Sequence, residues 1–173
     1  FGPAAGKPHS MIWASNSSVT KSGKYEIFKQ VVNNANGGNY IAVSNPSVGT
    51  FVTAAFLKDS ILSVWVLNKQ NAAFQQVGIQ IPEKNNILGK TIDVIRWKGG
   101  ETTNAGEQYS IIAGESNKFY SDITGESLYF FKINLGSPTA INSPELFSPA
   151  LTVFQHSSDK ISIKINDTNE KNK

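Results

Sequence analysis

Several residue types that carry chemistry or targeting are missing from this chain of 173 residues, beginning with cysteine. The absence of cysteine excludes thiol catalysis and cysteine-ligated metals, and it fits a reduced compartment or a bacterial exported protein without disulfides. No apolar run reaches the roughly 18 residues of a membrane-spanning helix, so we expect no membrane partner. The first residues lack the charged and apolar regions of a signal peptide. Because the chain begins with Phe1 and not with Met, we interpret it as a processed or truncated piece.

Charge is also scarce, and it is not gathered in one place. Charged residues make up 17% of the chain, the net charge is +3, and Arg96 is the single arginine. Nucleic-acid binding requires a basic stripe along the phosphate backbone, so nucleic acid is not expected as a partner. The lysines near the C-terminus alternate with acidic residues and indicate a solvated tail.

Residues that bind metals or catalyse hydrolysis are few and scattered. His9 and His156 lie at opposite ends of the chain without a second ligand at metal-binding spacing, which argues against a zinc site. Asp122 and Glu126 lie close enough in sequence to supply oxygen ligands to a structural calcium ion, and a simple polar turn is the alternative. Apart from that possibility, no cofactor is expected.

Apolar, β-branched segments dominate what is present. Residues 51–57, 61–67 and 77–81 are apolar runs separated by polar turns, a pattern that predicts three consecutive antiparallel strands in a β-meander. The middle run is apolar on both of its faces, which favours a position in the centre of a sheet. Trp65, in that run, is predicted to lie in the core.

Similar but shorter patterns extend over the rest of the chain. A helix is predicted around residues 24–32, where Tyr25, Phe28 and Val32 follow helical spacing and Ile27 and Val31 join the same side. Phe119-Tyr120 is either a brief strand or an exposed pair, and further strands are predicted at 40–43, 91–97, 107–113 and 127–134. In the last of these, Phe130 and Phe131 fall on opposite faces. The fold class predicted is all-β: an antiparallel β-sandwich of about 7–8 strands with a short N-terminal helical segment.

Composition divides the chain into four parts. We expect an N-terminal segment over residues 1–33, the β-sandwich over 34–134, a proline-containing linker over 135–150 and a C-terminal hairpin over 151–173. Two strands alone are marginal in water. The hairpin therefore either adds to the sandwich or opens a further module.

The segments KYEIFKQ at 24–30, VTAAFLKDSILSVWVLNKQNAAFQQVGIQI at 52–81 and SLYFFKIN at 127–134 resemble a known domain. They look like the C-terminal β-sandwich of retaining polysaccharide hydrolases, in particular glycoside hydrolase family 30 and the agarase or porphyranase-type enzymes. The resemblance implies that residues 1–33 are the remnant of a catalytic (β/α)8 barrel with its last helix. It also implies that the catalytic glutamates lie upstream of Phe1, so no catalytic residue is assigned to this chain.

A second resemblance lies in the tail. LTVFQHSSDKISIKIN at 151–166 is similar to the start of the C-terminal sorting domain of type IX secretion substrates, although Gln155 and His156 replace the usual Pro-Asn. The two resemblances together imply a protein that is secreted or held at the cell surface of a bacterium. Its expected partners are a polysaccharide and the catalytic barrel of the parent enzyme.

Aromatic residues are the candidates for contact with sugar rings, although core packing competes for each of them. Trp97 is the first choice because it shares its side of a strand with Asp93 and precedes a Gly-Gly turn. Tyr120 and Tyr109 follow. Trp97 and Trp13 have a second interpretation, in which they are buried where the sandwich meets the barrel.

The sequence therefore leaves three hypotheses open. The first is a non-catalytic accessory module that braces the catalytic domain, binds carbohydrate weakly, or does both. The second is a stand-alone carbohydrate-binding module, or a fragment of the hydrolase. The third, that the chain is itself a lyase or hydrolase, requires carboxylate, Tyr or His side chains that converge in a cleft. The carboxylates Glu26, Glu107 and Glu115 are predicted to be solvated charges instead.

Overall fold

One helix and twelve strands are present in the computed structural model, which describes residues 11–14, 17–44, 49–81, 85–99, 105–136, 149–157 and 160–167. The helix, α1, spans Gly23–Ala35. The strands, in chain order, are β1 (Ile12–Ala14), β2 (Val19–Lys21), β3 (Asn39–Ser44), β4 (Phe51–Lys58), β5 (Ile61–Asn68), β6 (Phe74–Gln80), β7 (Thr91–Lys98), β8 (Glu107–Ile112), β9 (Lys118–Ile123), β10 (Ser127–Asn134), β11 (Pro149–Ser157) and β12 (Lys160–Asp167). The predicted all-β, sandwich-like fold with one short helix is confirmed.

The larger layer is an antiparallel sheet in which β3, β4, β5, β10, β7 and β8 lie side by side in that order. β5 occupies the middle, as its two apolar faces predicted. Its even-numbered residues, among them Val64 and Val66, face the main core, while Trp65 faces the opposite side of the sheet. Phe131 and Phe130 divide in the same way, as predicted.

The third strand of the expected meander is in a different place. β6 does not pair with β5. It crosses to the second layer and pairs with β9, with a bulge between Phe74 and Val77. The predicted meander is therefore wrong beyond its first hairpin. An apolar run shows that a strand forms, but its alternation carries no information about which strand it pairs with.

β3 belongs to both layers. Asn39–Ile41 pair with β4, whereas residues 42–44 pair in parallel with β11, which in turn pairs with β12. Cα atoms of β12 approach within 8 Å of those of β6, so the second layer runs from β3 through β11, β12 and β6 to β9. A strand that changes sheets at a corner is a common way to close a sandwich.

The main core fills the space between the two layers. It is built from apolar side chains of both sheets and of the segments next to them: Ile41, Phe51, Ala55, Leu62, Val64, Val66, Val77, Ile79, Ile81, Ile87, Ile92, Val94, Ala113, Phe119, Ile123, Tyr129, Phe131 and Ile133. Burial of such side chains away from water supplies the main stabilisation of the fold.

A smaller outer cluster lies on the other face of the larger sheet, beneath α1. The buried rings of Trp65, Trp97 and Phe130 form it, and Ile27 and Val31 of the helix pack on them. The helix begins after Ser22, whose side-chain oxygen accepts a hydrogen bond from the Tyr25 N–H, the usual N-cap arrangement.

The helix carries apolar side chains on more than one side. Ile27 and Val31 contact the sheet, while Phe28 and Val32 are exposed at 55% and 41%. The prediction that all of these residues share one side is wrong, because successive helical residues are about 100° apart. No helix in the described part of the chain has the length and apolarity to cross a membrane.

The loop between β5 and β6 is anchored by one buried amide. Asn68 is fully buried; its Nδ2 donates to the carbonyl oxygens of Ala72 and Thr124, and its Oδ1 accepts from the Gln70 N–H. These three hydrogen bonds tie the loop to the turn between β9 and β10. They fix the point where the chain leaves the larger sheet for the smaller one.

Candidate functional site

Trp97 lies in the outer cluster and is only 8% exposed. Its ring is stacked on that of Trp65, with 6.3 Å between ring centroids and 11° between planes. From the other direction Gly106 approaches so closely that a Cβ atom there would lie 2.8 Å from Trp97 Nε1. The ring is therefore enclosed by residues of this chain, and its burial against a catalytic barrel stays a prediction. Asp93 is exposed on the same side of β7.

Tyr109 lies on β8, at the edge of the larger sheet, and is 38% exposed. Its hydroxyl interacts with the side chain of Ser121 on β9, so it links the edges of the two layers. Burial raises the pKa of Tyr109 above its ordinary value of 10.0, with a further contribution from Tyr129. A tyrosine with a raised pKa stays neutral at physiological pH, where it serves as a hydrogen-bonding group and not as a base.

Tyr120 lies on the outward face of the ribbon formed by β6 and β9. It is half-buried, and Lys118 Nζ lies 5.8 Å from its ring centroid. Directly across the ribbon its partner is Gly78, which has no side chain. Of the four predicted sugar-contacting residues, this is the one that lies on the outer face of the smaller sheet.

The four predicted residues do not form one site. Trp97 and Asp93 lie on the outer side of the larger sheet, Tyr109 at its edge toward the core, and Tyr120 on the outer side of the smaller sheet. A common binding surface for all four is not formed, because they belong to faces that point in different directions.

The weak calcium candidates are on either side of a turn. The Asp122 carboxylate accepts the backbone N–H of Gln76 through Oδ1 at 2.8 Å, and this holds Gln76 at a φ of 51° in the bulge of β6. Glu126 is exposed in the turn that follows β9. Within the described residues, no three His, Cys, Asp or Glu side chains gather at metal-binding distance. The side chains of His9 and His156 lie outside those residues.

The acidic residues considered for catalysis each lie next to a cation. Glu107 pairs with Arg96 at 2.7 Å, Glu26 with Lys29 at 3.7 Å and Glu115 with Lys118 at 3.7 Å. They lie on three separate elements. A retaining glycosidase requires two carboxyl groups about 5–5.5 Å apart, and these three pairs do not supply that arrangement.

A surface that sequence patterns did not resolve lies on the helix side of the larger sheet. Seven of the ten large apolar side chains that are exposed among the described residues belong to it, at exposures from 41% to 68%. We call this the helix-side surface, and its members are Met11, Ile12, Val19, Phe28, Val32, Tyr40 and Val52. The Tyr40 ring, 62% exposed, stands edge-on to Phe56 of the outer cluster. The sequence signal for this surface was the presence of apolar residues on two sides of α1.

Comparison with known proteins identifies structural but not sequence relatives. No protein-family model matches the chain, and no curated protein sequence does. The fold is similar to part of the family 30 subfamily 8 xylanase Xyn30A of Clostridium acetobutylicum, with a TM-score of 0.58, 14% identity and coverage of 75% of this chain and 32% of the xylanase. It is also similar to part of a GH30 endoxylanase of Clostridium papyrosolvens, with a TM-score of 0.51, 15% identity and coverage of 66% and 28%. The chain thus spans about a third of each enzyme, and at these identities it shares with the family 30 glycoside hydrolases the fold of one part of the molecule.

Proposed function

We propose that this chain is a non-catalytic accessory β-sandwich of a secreted, polysaccharide-degrading glycoside hydrolase related to family 30. In this proposal it follows the catalytic domain in the parent protein and braces it. The observation that carries the proposal is the helix-side surface. Fold similarity to about a third of two xylanases supports the proposed parentage.

The helix-side surface has the composition of a domain interface. Soluble domains rarely leave several large apolar side chains exposed together, and such patches commonly mark contacts with another protein surface. Phe28 and Val32 are four residues apart on α1, so they project from the same side of the helix. Ile27 and Val31 hold the helix on the sheet. The helix is therefore positioned to be packed on both sides, by its own sheet and by a neighbouring domain.

The proposed lack of catalysis rests on the carboxylates. Glu107 is held by Arg96, and Glu26 and Glu115 lie on different elements. Hydrolysis by a retaining mechanism needs a nucleophile and an acid on either side of one glycosidic bond. We therefore place the chemistry in a domain outside these 173 residues.

Assembly in trans tests the proposal. The domain encoded upstream of Phe1 in the gene is produced separately, and its binding to the 173-residue chain is measured by calorimetry. We expect a complex that Phe28→Asp weakens by at least about tenfold, because a charge at the centre of an apolar interface is left without a partner. Leu88→Asp, at an exposed apolar residue outside the helix-side surface, is the matched control for added negative charge. The absence of a catalytic barrel upstream, or a complex that tolerates Phe28→Asp, contradicts the proposal.

Two further hypotheses remain alongside it. A stand-alone carbohydrate-binding module is supported by the position of Tyr120 on the outer face of β6 and β9, which is considered below. The sorting-domain resemblance of residues 151–166 stays a prediction; the two strands in this region pair with β3 of the sandwich.

A further inference from the structure

We propose that the outward face of the β6–β9 ribbon binds an uncharged stretch of polysaccharide, with the ring of Tyr120 as its stacking platform. The class of ligand rests on the proposed function, since a brace for a polysaccharide hydrolase works next to its substrate. The location rests on the geometry of the ribbon alone.

The ring of Tyr120 lies across from a residue that has no side chain. In an antiparallel pair, directly opposed residues lie closest to each other, and the partner of Tyr120 is Gly78. A glycine offers no side chain to compete for the ring. The next pair on the same face of the ribbon is Lys118 with Gln80. Polar groups therefore border the ring on both strands.

The polar groups around the ring suit sugar hydroxyls. Lys118, which also pairs with Glu115, supplies ammonium donors, and Gln80 supplies an amide that both donates and accepts. Asp122, two residues from Tyr120 on the same face, uses Oδ1 to hold Gln76 in the bulge, which leaves Oδ2 to accept from a hydroxyl. The charge of Lys118 is already balanced by Glu115 at 3.7 Å, and Asp122 adds a negative charge on the other side of the ring. These surroundings favour an uncharged sugar chain over an anionic ligand.

The ribbon points away from the helix-side surface. Its inward residues, such as Ile79 and Phe119, lie in the main core between the two sheets. Its outward residues therefore face the side of the sandwich opposite α1. A domain docked on the helix-side surface leaves this face open, so bracing and sugar contact are compatible in one molecule.

Affinity electrophoresis of the 173-residue chain tests the proposal. The gels contain an uncharged xylan, an uncharged β-glucan or, as the anionic alternative, polygalacturonate. We expect retardation by at least one uncharged polymer, and Tyr120→Ala raises the apparent Kd at least about fivefold through loss of the stacking surface. Tyr120→Phe keeps the ring and retains binding. Tyr40→Ala is the matched control, an exposed tyrosine on the helix-side surface, and leaves the Kd unchanged.

The outcomes separate this proposal from the proposed function. The inference is overturned if no uncharged polymer retards the chain, if Tyr120→Ala binds as the wild type does, or if Tyr40→Ala weakens binding equally. Stronger binding of polygalacturonate than of the neutral polymers also overturns it. Circular dichroism and the thermal midpoint of each variant show that the fold is retained. Loss of sugar binding together with intact assembly in trans refutes this inference alone, and the reverse result refutes the brace alone.

Discussion

Replacement of Asn68 by alanine is expected to cause one of the larger losses of stability available from a single polar side chain in this protein. The side chain is fully buried, and its three hydrogen bonds, at 2.8, 3.0 and 3.0 Å, reach Ala72, Thr124 and Gln70. The net contribution of a hydrogen bond to the free energy of unfolding is about 1 kcal/mol, and its loss costs more where a buried partner is left unsatisfied. The change should therefore cost about 3 kcal/mol of the 5–15 kcal/mol typical of a domain.

Urea unfolding followed by tryptophan fluorescence measures this loss directly, and thermal unfolding should show a midpoint lower by roughly 6–12 °C. The matched control is Asn86→Ala. Asn86 accepts a similar hydrogen bond from a backbone N–H two residues on, that of Leu88, but it is exposed to water. Its loss should cost no more than about 0.5 kcal/mol.

Asn68→Asp sharpens the comparison because it keeps the shape of the side chain. It replaces an amide donor that serves two carbonyl oxygens by an acceptor that repels them, so the loss at pH 7 should be at least as large as that of the alanine variant. A loss below about 1 kcal/mol for Asn68→Ala, or one equal to that of Asn86→Ala, refutes the assignment of Asn68 as the anchor of this loop.

Two further predictions concern the turn after β9 and the edge of the larger sheet. A Cβ atom at Gly125 would collide with the backbone of Asn71, so Gly125→Ala should cost about 1–3 kcal/mol by overpacking; Gly114→Ala, where the added Cβ meets open space, should change stability by less than about 0.5 kcal/mol in the same urea titration. The raised pKa of Tyr109 means that the folded state favours the neutral phenol, so its contribution is present below pH 10.0 and is lost as pH rises through the higher native pKa. The stability of the wild type should therefore fall more steeply than that of Tyr109→Phe between pH 9 and 11, and parallel curves would contradict the burial of this hydroxyl.

The sequence predicted the structure best where the residue pattern of a single strand is enough to determine its position. β5 is apolar on both faces, and only a central, covered position satisfies that pattern. The burial of Trp65 and the division of Phe130 and Phe131 between two faces follow from the same alternation.

The sequence predicted the structure less well where the position of a strand or side chain depends on a partner distant in sequence. The alternation in β6 is equally compatible with pairing to β5 or to β9, and the crossing to β9 depends on the loop that Asn68 anchors. Trp97 was placed on the correct side of its strand, but the pattern of β7 holds no information on Trp65 and Gly106, which enclose the ring.

The candidate surfaces show the same limit. Helical spacing identified the apolar residues of α1, yet Phe28 and Val32 are exposed because the sheet can cover only one side of a helix. Tyr120 was found by residue type. Its cross-strand partner is Gly78, 42 residues earlier in the chain (120 minus 78) and on a different strand, which no local pattern predicts.

The double membership of β3 has a consequence for how the protein is made. Ala42 pairs with Ala150, which lies 108 positions later (150 minus 42). Closing so long a segment costs more entropy than forming a local hairpin such as β4–β5, so this pairing should come late in folding. Until residue 150 has left the ribosome, half of β3 offers unpaired backbone groups to any other strand in reach. The early strands of this sandwich are therefore most exposed to misassembly during synthesis, and the emergence of β11 ends that exposure.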